Sequence, residues 1–259
     1  MMIVKAPISL DIEFPSKALA HNLPIDGRSK TKDPQDQFVH KNGIWFAAHS
    51  NAFSGDRIWH SKCGPINAGP VKPNTQAVHI ENDMGLPFSA QENGGYVIER
   101  PLRLGNQFSM AVLFQSQGEA KTIVTVNPID HKTYLFLSEK NNELTLSDDA
   151  GLMEPLHLPK SQEQVWVKIG YTLGRLTLAA DGQSISSNDV RTEKLLAMSF
   201  AGLNDVFLGC RSHRKGLTKT LGQFALCHFL LIPHCNLLRD ESGQAELSEL
   251  CTFVEQEIL

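Results

Sequence analysis

Residues 165–182, VWVKIGYTLGRLTLAADG, alternate apolar and polar side chains with a period of two. In an extended chain Val165, Val167, Ile169 and Tyr171 share one face, and Trp166, Lys168 and Thr172 share the other. Gly174 supplies the backbone freedom a tight reversal needs. Leu176 and Leu178 then alternate with Arg175, Thr177 and Ala179, and Asp181-Gly182 is a second turn signal. A segment written this way is a meander, each arm burying one face. It requires a second layer to cover that face, so the pattern predicts a two-sheet sandwich.

The same pattern recurs along the chain. FSMAVLFQ at 108–115, TIVTV at 122–126, TYLFLS at 133–138, ELTLSD at 143–148, DVFLGC at 205–210 and GQFALCHFLLI at 222–232 all read as strands. The last is apolar on both faces, as a strand covered on both sides would be. Residues 103–232 thus hold roughly eight candidate strands and no strand–helix–strand crossover. Upstream, ISLDIEF at 8–14, GIWFAAH at 43–49 and AVHIEN at 77–82 read as further strands. Residues 21–43 and Gly64–Pro73, rich in polar residues, Pro and Gly, read as loops.

The tail changes period. Leu247, Leu250, Val254 and Ile258 recur at helical spacing, predicting a helix over 242–259 that opens at Ser242 or Gly243 and docks its apolar stripe on the sandwich. Glu246 is read as the acid favoured near the helix start. The expected organisation is one domain, 1–259. It has an irregular part at 1–100 with early strands and long loops, the main sandwich strands at 101–235, and the helix.

The totals set limits. With 41% hydrophobic residues the 259-residue chain can bury a core, and a net charge of −4 gives no overall attraction to nucleic acid or anionic lipid. The opening MMIVKAPISLDIEF lacks the unbroken apolar run of a signal peptide. No stretch is long enough to span a membrane. The expected location is therefore cytoplasmic, or release without a signal peptide. Five cysteines, an odd number without scaffold spacing, read as free thiols.

Taken together, the strand FSMAVLF, the Trp166-led hairpin ending at Asp181-Gly182, VFLGCR at 206–211, LGQFALCHFLLI at 221–232 and the short AELSEL helix resemble the laminin-G-like, concanavalin A-type lectin/glucanase jelly roll. The resemblance covers about residues 100–255 and implies an all-β, two-sheet antiparallel sandwich with a short C-terminal helix. That fold hosts lectins, glycosidases and structural modules, so function has to come from a site.

Glycosidases of this fold carry a Glu-x-Asp-x-x-Glu strand, in which alternate carboxylates act on one sugar. Glu81 and Asp83 supply two of the three acids, but position 86 is Leu; Asp11 and Glu13 form a similar incomplete pair. Cys227-His228 and His234-Cys235 contain metal-binding residue types. Strand neighbours point to opposite faces, however, and do not converge on one ion. No catalytic residue, metal or cofactor is expected.

A saccharide needs an aromatic platform beside amide or carboxylate groups. The segment SNAFSGDRIWH at 50–60 is the most chemically mixed loop. With it the candidate ligand-binding residues are Trp45, Asn51, Asp56, Trp59 and His60. The basic run Arg211, His213, Arg214, Lys215 and Lys219 adds Arg211, Arg214 and Lys215 as candidates for an acidic ligand. Trp166 is assigned to packing. The leading expectation is a non-catalytic, carbohydrate-binding recognition module. A structural or assembly protein and an unusual glycoside hydrolase are the alternatives. The expected partners are carbohydrate, another protein or a second copy, and neither nucleic acid nor membrane.

Overall fold

The structure, a computed structural model, describes residues 34–64, 66–74, 85–99, 102–130, 133–172, 174–187, 200–213 and 220–256. The strands expected at 8–14 and 77–82, and the acids Asp11, Glu13, Glu81 and Asp83, lie outside the described residues, as do Arg214, Lys215 and Lys219.

Fourteen strands among the described residues form two antiparallel sheets. In the first, the order is β1 (Ile44–Ala47), β14 (Phe224–Pro233), β5 (Gln107–Gln115), β10 (Gln164–Thr172), β11 (Arg175–Ala180) and β12 (Gln183–Ser186). β3 (Leu86–Phe88) also pairs with β14. The second sheet runs β2 (Gly69–Pro70), β4 (Tyr96–Ile98), β13 (Asn204–Leu208), β6 (Val124–Pro128), β7 (Leu135–Lys140), β8 (Glu143–Asp148) and β9 (Leu156–Pro159).

The period-two rule determines how the layers meet. Val165, Val167, Ile169 and Tyr171 of β10 and Phe108, Met110, Val112 and Phe114 of β5 enter the core between the sheets. There they join Leu135 and Leu137 of β7 and Val206 and Leu208 of β13. The β10–β11 hairpin closes with Thr172 opposite Arg175, and Gly174 there has φ +85°. Asp181 and Gly182, with φ of 50° and 75°, make the left-handed turn into β12.

The first sheet is covered on both sides. A β-bulge at Cys227 shifts the phase of β14 by one residue. Before it Phe224 and Leu226 point into the main core; after it Phe229 and Leu231 do, while Leu230 and Ile232 point outward. That outer face, with Trp45, Ala47 and Ala111, is covered by helix α2 (Glu241–Gln256) through Leu247, Leu250, Cys251 and Val254.

Three local expectations are corrected. Residues 34–40, read as loop, form a short helix, α1 (Pro34–His40). Pro34 stands at its first position, where its missing N–H costs nothing, and Phe38 anchors it in the outer cluster. Gly69–Pro70, also read as loop, adds β2 to the edge of the second sheet, where a proline is tolerated. Helix α2 opens one residue earlier than Ser242. The Asp240 carboxylate accepts the Gly243 N–H at 2.9 Å, Glu241 is the first-turn acid, and Glu246 instead pairs with Lys41.

Candidate functional site

A cleft of about 570 Å3 runs between α2 and the outer face of β10, β11 and β12. Its size is in the range of small-ligand sites. Leu113 and Ala179 give it an apolar floor, and the outward residues of β10 (Gln164, Trp166 and Lys168) form one wall. These are the positions that the alternation turns away from the core, and α2 covers them only in part.

Trp166 is half-buried and held from two sides. Its ring stacks on His228 with centroids 5.9 Å apart and planes 19° apart, and its indole N–H donates to the Glu255 carboxylate of α2. His228 is buried. It accepts the Trp45 indole N–H on Nδ1 at 3.2 Å, so the neutral ring carries its proton on Nε2. Burial, reinforced by the nearby His49 and Lys62, pushes the His228 pKa down to about 3. Lys168 donates to Ser248 at 2.8 Å, and the Asp181 carboxylate accepts the Ser161 N–H and O–H at 2.9 and 2.7 Å. By contrast, Gln162, Gln164 and Gln183 are exposed, and their amides bond to none of the described residues.

The candidates from the sequence are dispersed. Trp45 is buried under α2, with the Lys62 ammonium 4.8 Å from its ring centre. Trp59 is fully buried in the main core, where it donates to the Ala47 carbonyl at 3.0 Å and stacks on Phe53. Neither indole offers a face to solvent. Asn51, Asp56 and His60 are exposed on the intervening loop, and the Ser54 hydroxyl donates to Asp56 and lowers its pKa. Arg211 lies beyond β13, its guanidinium 3.8 Å over the Phe136 ring and its Nε donating to Thr122 at 3.3 Å. Among the described residues, no hydrogen bond or ion pair joins Arg211 to that loop.

The aromatic-plus-amide combination sought in the sequence is met by Trp166 with the three glutamines. The missing signal was the helix flank opposite them: Glu255 lies 89 residues from Trp166 in the chain. All five cysteines are free. Among the described residues no group of His, Cys, Asp or Glu is placed to hold a metal ion, and no helix is long and apolar enough to cross a membrane.

No family model and no curated protein matches the chain. Solved structures do. Trypanosoma rangeli sialidase in complex with sialic acid aligns over 80% of this chain and 32% of the sialidase, at 13% identity and a TM-score of 0.53. The botulinum neurotoxin serotype D binding domain aligns over 84% of this chain and 53% of that one, at 12% identity and a TM-score of 0.52. Mouse laminin alpha1 domains LG4-5 align over 62% of this chain and 44% of theirs, at 12% identity and a TM-score of 0.41. The chain therefore spans about a third of the sialidase and about half of the neurotoxin domain. Likeness at such identity speaks of architecture alone. With two antiparallel sheets around one core and a helix on the outer face of the first, the chain has the two-sheet antiparallel jelly-roll sandwich expected from its sequence.

Proposed function

We propose that this protein is a non-catalytic recognition module that binds a neutral saccharide in the cleft between α2 and β10–β12. The observation that carries the reading is Trp166 beside three exposed glutamine amides that bond to none of the described residues. A pyranose has an apolar face for an indole and hydroxyl edges for amides, which both donate and accept. Among the described residues lining the cleft the charges are Lys168, Asp181 and Glu255, an excess of one negative charge that disfavours an acidic sugar. Hydrolysis would need two carboxylates free to act on one glycosidic bond. Here Asp181 is held by Ser161 and Glu255 by Trp166, which favours binding.

A glycan array tests the reading. The parent protein should retain neutral glycans, Gln164→Ala should weaken them, and Trp166→Ala should lose them while keeping a cooperative unfolding transition. Asp56→Ala, on the exposed loop with Asn51 and His60, should bind as the parent does. Binding that survives Trp166→Ala but is lost in Asp56→Ala would move the site to that loop. An array with no retained glycan would overturn the proposal.

A further inference from the structure

A second cavity, of about 410 Å3, differs in chemistry from the first. It opens where the end of α1, the start of β1, the loop around Cys63 and Ile66, the Leu102–Arg103 segment and the end of β14 meet. Its walls are largely aliphatic, with Val39, Ile66 and Leu102 among them. Val39 is 51% exposed at the cavity mouth.

Two basic side chains stand in this apolar setting. Arg103 is exposed and makes no side-chain hydrogen bond or ion pair with the described residues. His234 is fixed at φ +60° by its N–H on the Leu104 carbonyl at 3.0 Å and by its own carbonyl, which accepts the Gln107 amide at 2.8 Å. Its ring lies flush on Gly105, where an added Cβ would come within 2.3 Å of Nδ1. Among the described residues lining the cavity none is acidic. An aliphatic pocket with, at its wall, a guanidinium that pairs with none of the described residues is complementary to an apolar chain ending in a carboxylate, which arginine can bind through two parallel hydrogen bonds.

We infer that this cavity binds a free, single-chain alkyl carboxylate of medium length. The tail lies against Val39, Ile66 and Leu102, and the headgroup meets Arg103 beside His234. The inference is independent of the saccharide reading, because the two cavities share no lining residue among those described.

Calorimetric titration of the full chain with decanoate tests it. Decanoate should bind with one-to-one stoichiometry and 1-decanol about tenfold more weakly, the worth of one charge-assisted contact. Arg103→Gln should lose about that factor for decanoate and none for decanol. Val39→Asp, an exposed position the fold tolerates, should abolish both, and decanoate should slow alkylation of Cys63, which lines the cavity. The inference is overturned if decanoate does not bind at millimolar concentration, if decanol binds as tightly, or if Val39→Asp binds like the parent. It is also overturned if phosphatidylglycerol vesicles bind in an Arg103-dependent way while decanoate does not.

Discussion

The Lys160 ammonium lies 2.7 Å from the Glu139 carboxylate, and the two side chains are 1% and 0% exposed. Between them Ser116, just past β5, donates its hydroxyl to Glu139, while its carbonyl accepts from Lys160 at 2.8 Å. The Ala120 N–H adds a further bond to Glu139. This network ties the ends of β5, β7 and β9 together across both sheets. Removing one partner leaves the other charge buried and unpaired, which costs about 3–5 kcal/mol. Lys160→Met should therefore destabilise by that amount in urea unfolding, and the double variant Lys160→Met with Glu139→Leu should lose less than Lys160→Met alone. A double variant as unstable as the sum of the two singles would mean that the charges contribute independently.

Helix α2 depends on one cap. Asp240→Ala orphans the Gly243 N–H and should cost about 1 kcal/mol, with Asp240→Asn close to the parent. Urea midpoints of the three proteins check this. Equal midpoints would place the helix start elsewhere.

His228 makes stability depend on pH. Its folded pKa is about 3, below the ordinary 6.5, so between those values the unfolded chain binds one proton that the native state refuses. The neutral ring's full contribution is present above pH 6.5. It should be lost by about 1.4 kcal/mol per unit as pH falls toward 3. Between pH 6.5 and 5, above the usual carboxylate range, His228→Gln should flatten the stability profile relative to the parent. Parallel profiles would show that His228 titrates normally.

The cleft should select by charge. If the array returns a neutral glycan, the same glycan bearing a terminal sialic acid should bind more weakly. Asp181→Asn, which removes one of the two acids, should narrow that gap severalfold. Competition titrations measure it, and tighter binding of the acidic form would contradict the assigned cleft.

The hairpins were legible because alternation and burial coincide: every second residue of 165–171 is in the core. Where that coincidence fails, the sequence is silent. β12 is exposed at Gln183, Ser184 and Ile185 and carries no alternation, and α1 buries only Phe38 in an otherwise polar segment. The two faces of β14 could be seen to be apolar, but the bulge at Cys227 that reverses its phase could not. The site was the least legible part. Trp59 sits in a polar, Gly-containing loop yet is fully buried, because Phe46 of β1 and Tyr96 of β4 pack around it together with Phe53 of its own loop. Trp166 looks like a packing residue until α2 is docked beside it. Trp59 depends in part on Tyr96 and Trp166 on Glu255, partners that the local pattern around each does not encode.

The chain has three tryptophans, so its indole N–H region of a nitrogen–proton correlation spectrum should hold three signals. Titration with a neutral glycan chosen from the array is predicted to shift the Trp166 signal most, with a smaller change at Trp45 through His228 and none at buried Trp59. A bound glycan that leaves the Trp166 signal in place, or that moves Trp59 instead, would contradict the assignment of the cleft as the recognition site.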